Sequence, residues 1–140
     1  MSEQNKMTVR RIFEEIESQG NLAVVDEIFA SDFVNHTPLG ENHGPDGAKH
    51  FVNMLRSAFP DLHSTVEDQI AEGDKVATRF TSRGTHRGEL QGIPASGNTI
   101  QITGIVISRF ANGKIVEQWG SPDLLGMMQQ IGAIPEAEQH

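Results

Sequence analysis

The chain has no cysteine, so neither a disulfide framework nor a thiolate metal site is available, and a reducing cytosol suits it. It is also short of positive charge. Eleven Lys and Arg stand against nineteen Asp and Glu, giving a net charge of −8. That balance repels phosphate backbones and anionic lipid surfaces, which argues against nucleic acid or a membrane as partner. Long apolar runs are missing as well: the opening stretch SEQNKMTVRRIFEEIESQ alternates charged with apolar residues and reads as neither a signal peptide nor a membrane span. No internal repeat, glycine-rich phosphate loop or serine-nucleophile motif is present. These absences point to a cytoplasmic protein of one domain over residues 1–140, long enough to bury roughly two-thirds of its unfolded surface around one core.

What is present divides into helices first and strands after. Val9, Ile12, Phe13 and Ile16 repeat at three- and four-residue spacing, a helical stripe that ends at Gly20. Asn21 is placed to cap a second, shorter helix with Leu22, Val25, Ile28 and Phe29 on its buried side. Asp32 to Pro38 reads as a short strand, and Leu39 to Gly47, with three glycines and a proline, as a loop. Pro45 then opens a third helix whose Ala48, Phe51, Val52, Leu55 and Phe59 form one face, and Pro60-Asp61 stops it. Strand patterns follow over Ser64–Ala71, Val76–His86, Thr99–Phe110 and Ile115–Trp119, with turns at Glu72–Lys75 and Ala111–Lys114 and a loop at Gly88–Asn98.

This order predicts an α+β fold with the helices packed on one face of an antiparallel sheet, and a sheet that curls around them encloses a cavity. The long strand is apolar on both sides. Ile100, Ile102, Val106 and Phe110 point one way, Ile105 and Ile107 the other, so its outer face is expected to meet a second copy in a homodimer or higher homo-oligomer.

The candidate chemistry gathers near the end of the chain. Ile115, Glu117 and Trp119 share one side of a strand by the two-residue period. Ser121 can cap the last helix, Pro122 suits its first position, and Leu124, Leu125, Met127, Met128 and Ile131 follow before Gly132. Asp123, in that first turn, admits two roles. As an acid/base beside an apolar wall its pKa would rise, whereas as a helix-start carboxylate the macrodipole would lower it. Trp119, Phe80, Leu124 and Met127 are candidate wall residues. His36 and His86 stand at strand ends on opposite edges of the expected pocket, where each could donate to a substrate oxygen. Glu117 could bind a substrate hydroxyl or pair with Arg79 or Arg109. His36, His43 and His50 lie seven apart, which does not align ligands on a helix face, so no metal is expected.

The chain resembles the SnoaL-like polyketide cyclases, or ester cyclases, of the nuclear transport factor 2-like superfamily. The resemblance runs through Gln19-Gly20-Asn21-Leu22, Asn35-His36, Ala58-Phe59-Pro60-Asp61-Leu62 and Glu72-Gly73-Asp74-Lys75-Val76. It continues with Arg83-Gly84-Thr85-His86, Gly92-Ile93-Pro94 and Gly97, then Gly113-Lys114-Ile115-Val116-Glu117, Trp119, Asp123 and Gln130-Ile131-Gly132. It implies a curved antiparallel sheet wrapped around the N-terminal helices to form a cone-shaped pocket, with no metal or organic cofactor. It also implies ring closure by an intramolecular aldol reaction on a small apolar molecule, with Asp123 at the position of the family's acid/base aspartate. Relatives often carry an aromatic residue just before that aspartate; here it is Pro122. Two other functions fit the same residues: a binding protein that uses the cone as a container, and a hydrolase in which Asp123 and Glu117 activate a water.

Overall fold

The computed structural model describes residues 2–133. Helix α1 (Ser2–Arg11) passes directly into a π-helical segment (Ile12–Glu17), followed by α2 (Ala23–Ile28), β1 (Phe29–Thr37), β2 (Gly40–His43) and α3 (Gly44–Ala58). The remainder is β3 (His63–Glu72), β4 (Lys75–Thr85), β5 (Thr99–Ala111), β6 (Lys114–Pro122) and the short α4 (Leu124–Gln130). The six strands form one sheet in the order β2-β1-β6-β5-β4-β3. Every neighbouring pair is antiparallel except β1 and β6, which run parallel. The expected α+β architecture is therefore present, a curved sheet folded over the N-terminal helices.

The apolar stripes do what their spacing implies. Val9, Ile12, Phe13 and Ile16 are all buried, and they meet Phe29, Phe33, Val52, Phe80 and Phe110 in the main core. A second cluster, built on Phe59, Leu62, Leu90, Ile100, Met127 and Ile131, closes the other end. β4 and β5 pair over their full overlap, from Lys75 opposite Arg109 to Thr85 opposite Thr99. Asn112 and Gly113 both have positive φ, 53° and 79°, the backbone that a two-residue hairpin turn needs to match strand twist.

Three local expectations change. Asn21 makes no side-chain cap; α2 starts after Leu22, and Asn21 contributes only its backbone carbonyl to the Val24 N–H. The segment from Leu39 is partly strand, since β2 folds back on β1 with Val34 opposite His43. β6 runs on to Pro122, so Ser121 lies in a strand, and the cap of α4 is Asp123. Proline is tolerated there because β6 has run past β1, whose last partner is Trp119, leaving that edge without a ladder donor to lose.

Candidate functional site

Between the inner face of the sheet, the π-helical segment and α3 lies a cavity of about 130 Å³. The whole expected face of α3, from Ala48 through Phe51, Val52 and Leu55 to Phe59, lines it. The strands contribute Phe33, Phe80, Ile100, Ile102, Val106 and Pro122, and α4 contributes Leu124 and Met127. Against this apolar lining stand a few polar side chains: Glu17, Asn35, Thr37, Ser82 and Gln118. Asn35 and Gln118 face each other across the parallel β1–β6 pair, both buried. Gln118 Nε2 donates to the buried Ser108 Oγ at 2.9 Å.

Among the described residues of this lining, Glu17 is the ionisable one. It ends the π-helical segment, where Ser18 N–H reaches back to the Phe13 carbonyl at 3.1 Å and the Ser18 hydroxyl donates to the same oxygen at 2.7 Å. The wider turn is a common device at functional sites. Ser64 Oγ donates to Glu17 Oε1 at 2.9 Å and lies 2.8 Å from Ser82 Oγ. Loss of solvation dominates here. It pushes the Glu17 carboxyl up to about 7, against the smaller lowering by the Ser64 hydrogen bond. Sequence reasoning passed over Glu17, although it follows Phe13 by four residues and so falls on the stripe of Val9, Phe13 and Ile16. An acid on a buried helical face was the available signal.

The model of the SnoaL-like polyketide cyclase family matches residues 7–131. The chain belongs to this family. Among its SnoaL-like relatives, aklanonic acid methyl ester cyclase DnrD of Streptomyces peucetius is 30% identical over 128 residues, covering 89% of this chain and 88% of that protein. Nogalonic acid methyl ester cyclase of Streptomyces nogalater is 29% identical, covering 77% and 83%. Among solved structures, a candidate SnoaL-like polyketide cyclase from Jannaschia sp. CCS1 superposes with a TM-score of 0.86 at 30% identity, over 96% of this chain and 95% of that one. The fold is thus the nuclear transport factor 2-like cone of the SnoaL family.

The SnoaL-like frame separates the residues singled out in the sequence. Phe80, Leu124 and Met127 line the cavity. Trp119, Glu117 and His36 lie on the other face of the sheet. A register shift between Arg109 and Phe110 inserts Val116 as an extra residue, so Ile115 turns into the core while Glu117 and Trp119 face out. On that outer face His36 Nε2 meets Glu117 Oε2 at 2.8 Å and His36 Nδ1 meets Glu41 Oε2 at 3.0 Å. Arg109 donates to Glu117 Oε1 at 3.1 Å, and the His36 and Trp119 rings stack with centroids 5.9 Å apart. Hydrogen bonds from His36 and then Arg109 hold the Glu117 carboxyl below its ordinary value, and Glu117, followed by Glu41, raises the His36 imidazole.

His86 is fully buried beside Phe59, outside the cavity lining. Its Nδ1 accepts the Ser96 N–H at 3.2 Å and lies 3.0 Å from Ser96 Oγ, which ties down the Gly88–Asn98 loop. That loop does not line the cavity either, whereas the segment read as a loop from Leu39 contributes Leu39 to the lining. Asp123 is exposed, and its Oδ1 accepts the Gly126 N–H at 2.9 Å. Its flanking residues, Pro122 and Leu124, both line the cavity, but Asp123 itself does not, and its carboxylate caps α4 from outside.

Proposed function

We propose that the chain closes a ring by an intramolecular aldol-type reaction on an apolar, polyketide-like molecule bound in the cavity. The carrying observation is the cavity itself, an apolar enclosure with a carboxyl, two amides and two hydroxyls set in its wall. Small-molecule sites have this composition, and few polar groups suffice to orient a ligand. The named activities of the Streptomyces relatives support the same reaction class. A base takes a proton from the carbon next to one carbonyl, that carbon attacks a second carbonyl, and the oxygen there takes up a proton. The product is an isomer of the substrate, so the step needs no cofactor. A void of this size holds about one aromatic ring, so a larger substrate inserts its reacting end and leaves the rest at the mouth.

Family resemblance assigns the base role to Asp123. For this its carboxylate must exchange the Gly126 N–H for the ligand and turn inward between Pro122 and Leu124. Incubation with aklanonic acid methyl ester or nogalonic acid methyl ester tests the assignment: the wild type should convert one of them to a product of equal mass, and Asp123→Asn should slow this by a hundredfold or more, on the order of general acid/base effects. The container reading draws support from the capping geometry of Asp123, and it takes over if both esters bind and neither is converted. A hydrolase needs Glu117 and Asp123 around one water, but Glu117 is held by His36 and Arg109 and does not line the cavity.

We also propose a cytoplasmic homodimer joined through the outer face of the sheet. Ile105, Ile107 and Trp119 are exposed there, with Ile107 and Trp119 paired across β5 and β6. Light scattering across a dilution series should give twice the chain mass at tens of micromolar; a monomer at that concentration would remove the proposal.

A further inference from the structure

The reaction scheme leaves one half-buried carboxyl in the cavity wall unused. We propose that Glu17 is the general acid of the cavity, delivering, from its own carboxyl or through the Ser82 hydroxyl, the proton that a ligand carbonyl oxygen takes up on becoming a hydroxyl. This rests on the reading that the cavity holds the substrate.

Hydrogen-bond counting supports it. Each serine hydroxyl has one proton to give. With Glu17 ionised, Ser64 spends its proton on Glu17 Oε1, so the 2.8 Å contact with Ser82 is donated by Ser82. With Glu17 protonated the chain can run the other way. Glu17 donates to Ser64 and Ser64 to Ser82, and the Ser82 hydroxyl is then free to donate into the cavity that it lines. A proton on Glu17 therefore adds a donor at the Ser82 side of an enclosure lined mainly by apolar side chains.

The charged groups around Glu17 leave burial in control. Arg56 of α3 binds the backbone carbonyls of Glu17 and Ser18, at 2.6 and 3.2 Å, not the carboxyl. Arg11 is bound to Glu15 and to Glu27 of α2. On the same segment Glu14 is exposed, as are Asp26 of α2, His63 and Glu67 of β3, and Arg79 and Arg83 of β4. Desolvation raises Glu17 to about 7, where it carries a proton about half the time at neutral pH.

The proposed step balances. As the new C–C bond forms, the attacked C=O π pair moves onto oxygen. That oxygen takes the Glu17 proton, and the carboxylate left behind is reprotonated from solvent. The proton removed from carbon by Asp123 returns to solvent, so nothing is gained or lost overall.

The test uses the full chain and acetophenone labelled with ¹³C at its carbonyl, a one-ring ketone matched to the cavity. In the wild type the bound carbonyl resonance should move downfield as pH falls through about 7, because a donor then faces it, and Glu17→Gln should bind the probe without that titration. With whichever of the two methyl esters the wild type converts, Glu17→Gln should lower kcat by about a hundredfold and change KM only a few-fold. A bound carbonyl that does not titrate in the wild type overturns the proposal, as does titration that survives in Glu17→Gln or an unchanged kcat. Failure of acetophenone to bind the wild type would instead remove the cavity reading beneath it.

Discussion

Glu17 should make the protein less stable as the pH rises. In the unfolded chain its carboxyl has the ordinary value of 4.5, and in the fold it is pushed up to about 7. Below 4.5 both states carry the proton, and the group adds no pH dependence. Between 4.5 and about 7 the folded state holds the proton while the unfolded state has lost it, so stability falls with each step in pH. Above about 7 the loss is complete. At about 1.4 kcal/mol per pH unit, a shift of this size amounts to about 3 kcal/mol, an upper figure because part of the side chain opens on the cavity. Other groups titrate over the same range, so the informative quantity is the difference between wild type and Glu17→Gln, which keeps the shape and an amide oxygen to accept from Ser64. Urea unfolding from about pH 4.5 to about pH 8.5 measures it through the midpoint at constant m. The variant should gain on the wild type by about 3 kcal/mol across this range, with most of the gain between pH 5 and 7. A difference that stays flat with pH would refute the burial argument for Glu17, whatever the reaction is.

Three further outcomes are expected. His36 should titrate above its ordinary value of 6.5 by NMR, and Glu117→Gln should bring it back down; this pair supports the fold above about pH 4.5, where Glu117 is ionised, and loses that support as pH rises through the His36 value. Gly104→Ala should destabilise by about 1–3 kcal/mol in thermal or urea unfolding, because an added Cβ would sit 2.6 Å from the Phe80 ring and 2.9 Å from the Pro122 backbone, in the packed wall of the cavity. Asp123→Ala should cost about 1 kcal/mol of stability through the lost cap of α4, whereas Asp123→Asn should stay within a few tenths of the wild type; equal losses would mean that the cap is not what Asp123 contributes to the fold.

The architecture was legible in the sequence because it follows from local periodicity. Val9, Ile12, Phe13 and Ile16 fix the face of the first helix, the α3 face reads directly as cavity wall, and the two-sided β5 separates Ile100 and Ile102 from Ile105 and Ile107 as expected. The site was less legible because it depends on non-local placement. A single extra residue near Val116 moved Glu117 and Trp119 to the outer face, and strict alternation cannot reveal a bulge. The parallel contact that sets Asn35 beside Gln118 joins strands more than eighty residues apart, so no window of sequence contains it. Asp123 was ambiguous from the start, because a carboxylate at a helix start satisfies both a cap and a catalytic pattern. Glu17 could have been found on the buried stripe, where an ionisable side chain signals either a partner or a function.

The most direct test of the central claim is ¹³C NMR of aklanonic acid methyl ester incubated with the wild-type protein. Ring closure should replace one ketone carbonyl signal with a hydroxyl-bearing carbon at unchanged molecular mass. If both this ester and nogalonic acid methyl ester stay bound with every carbonyl signal intact, the enzyme is contradicted and a container is left.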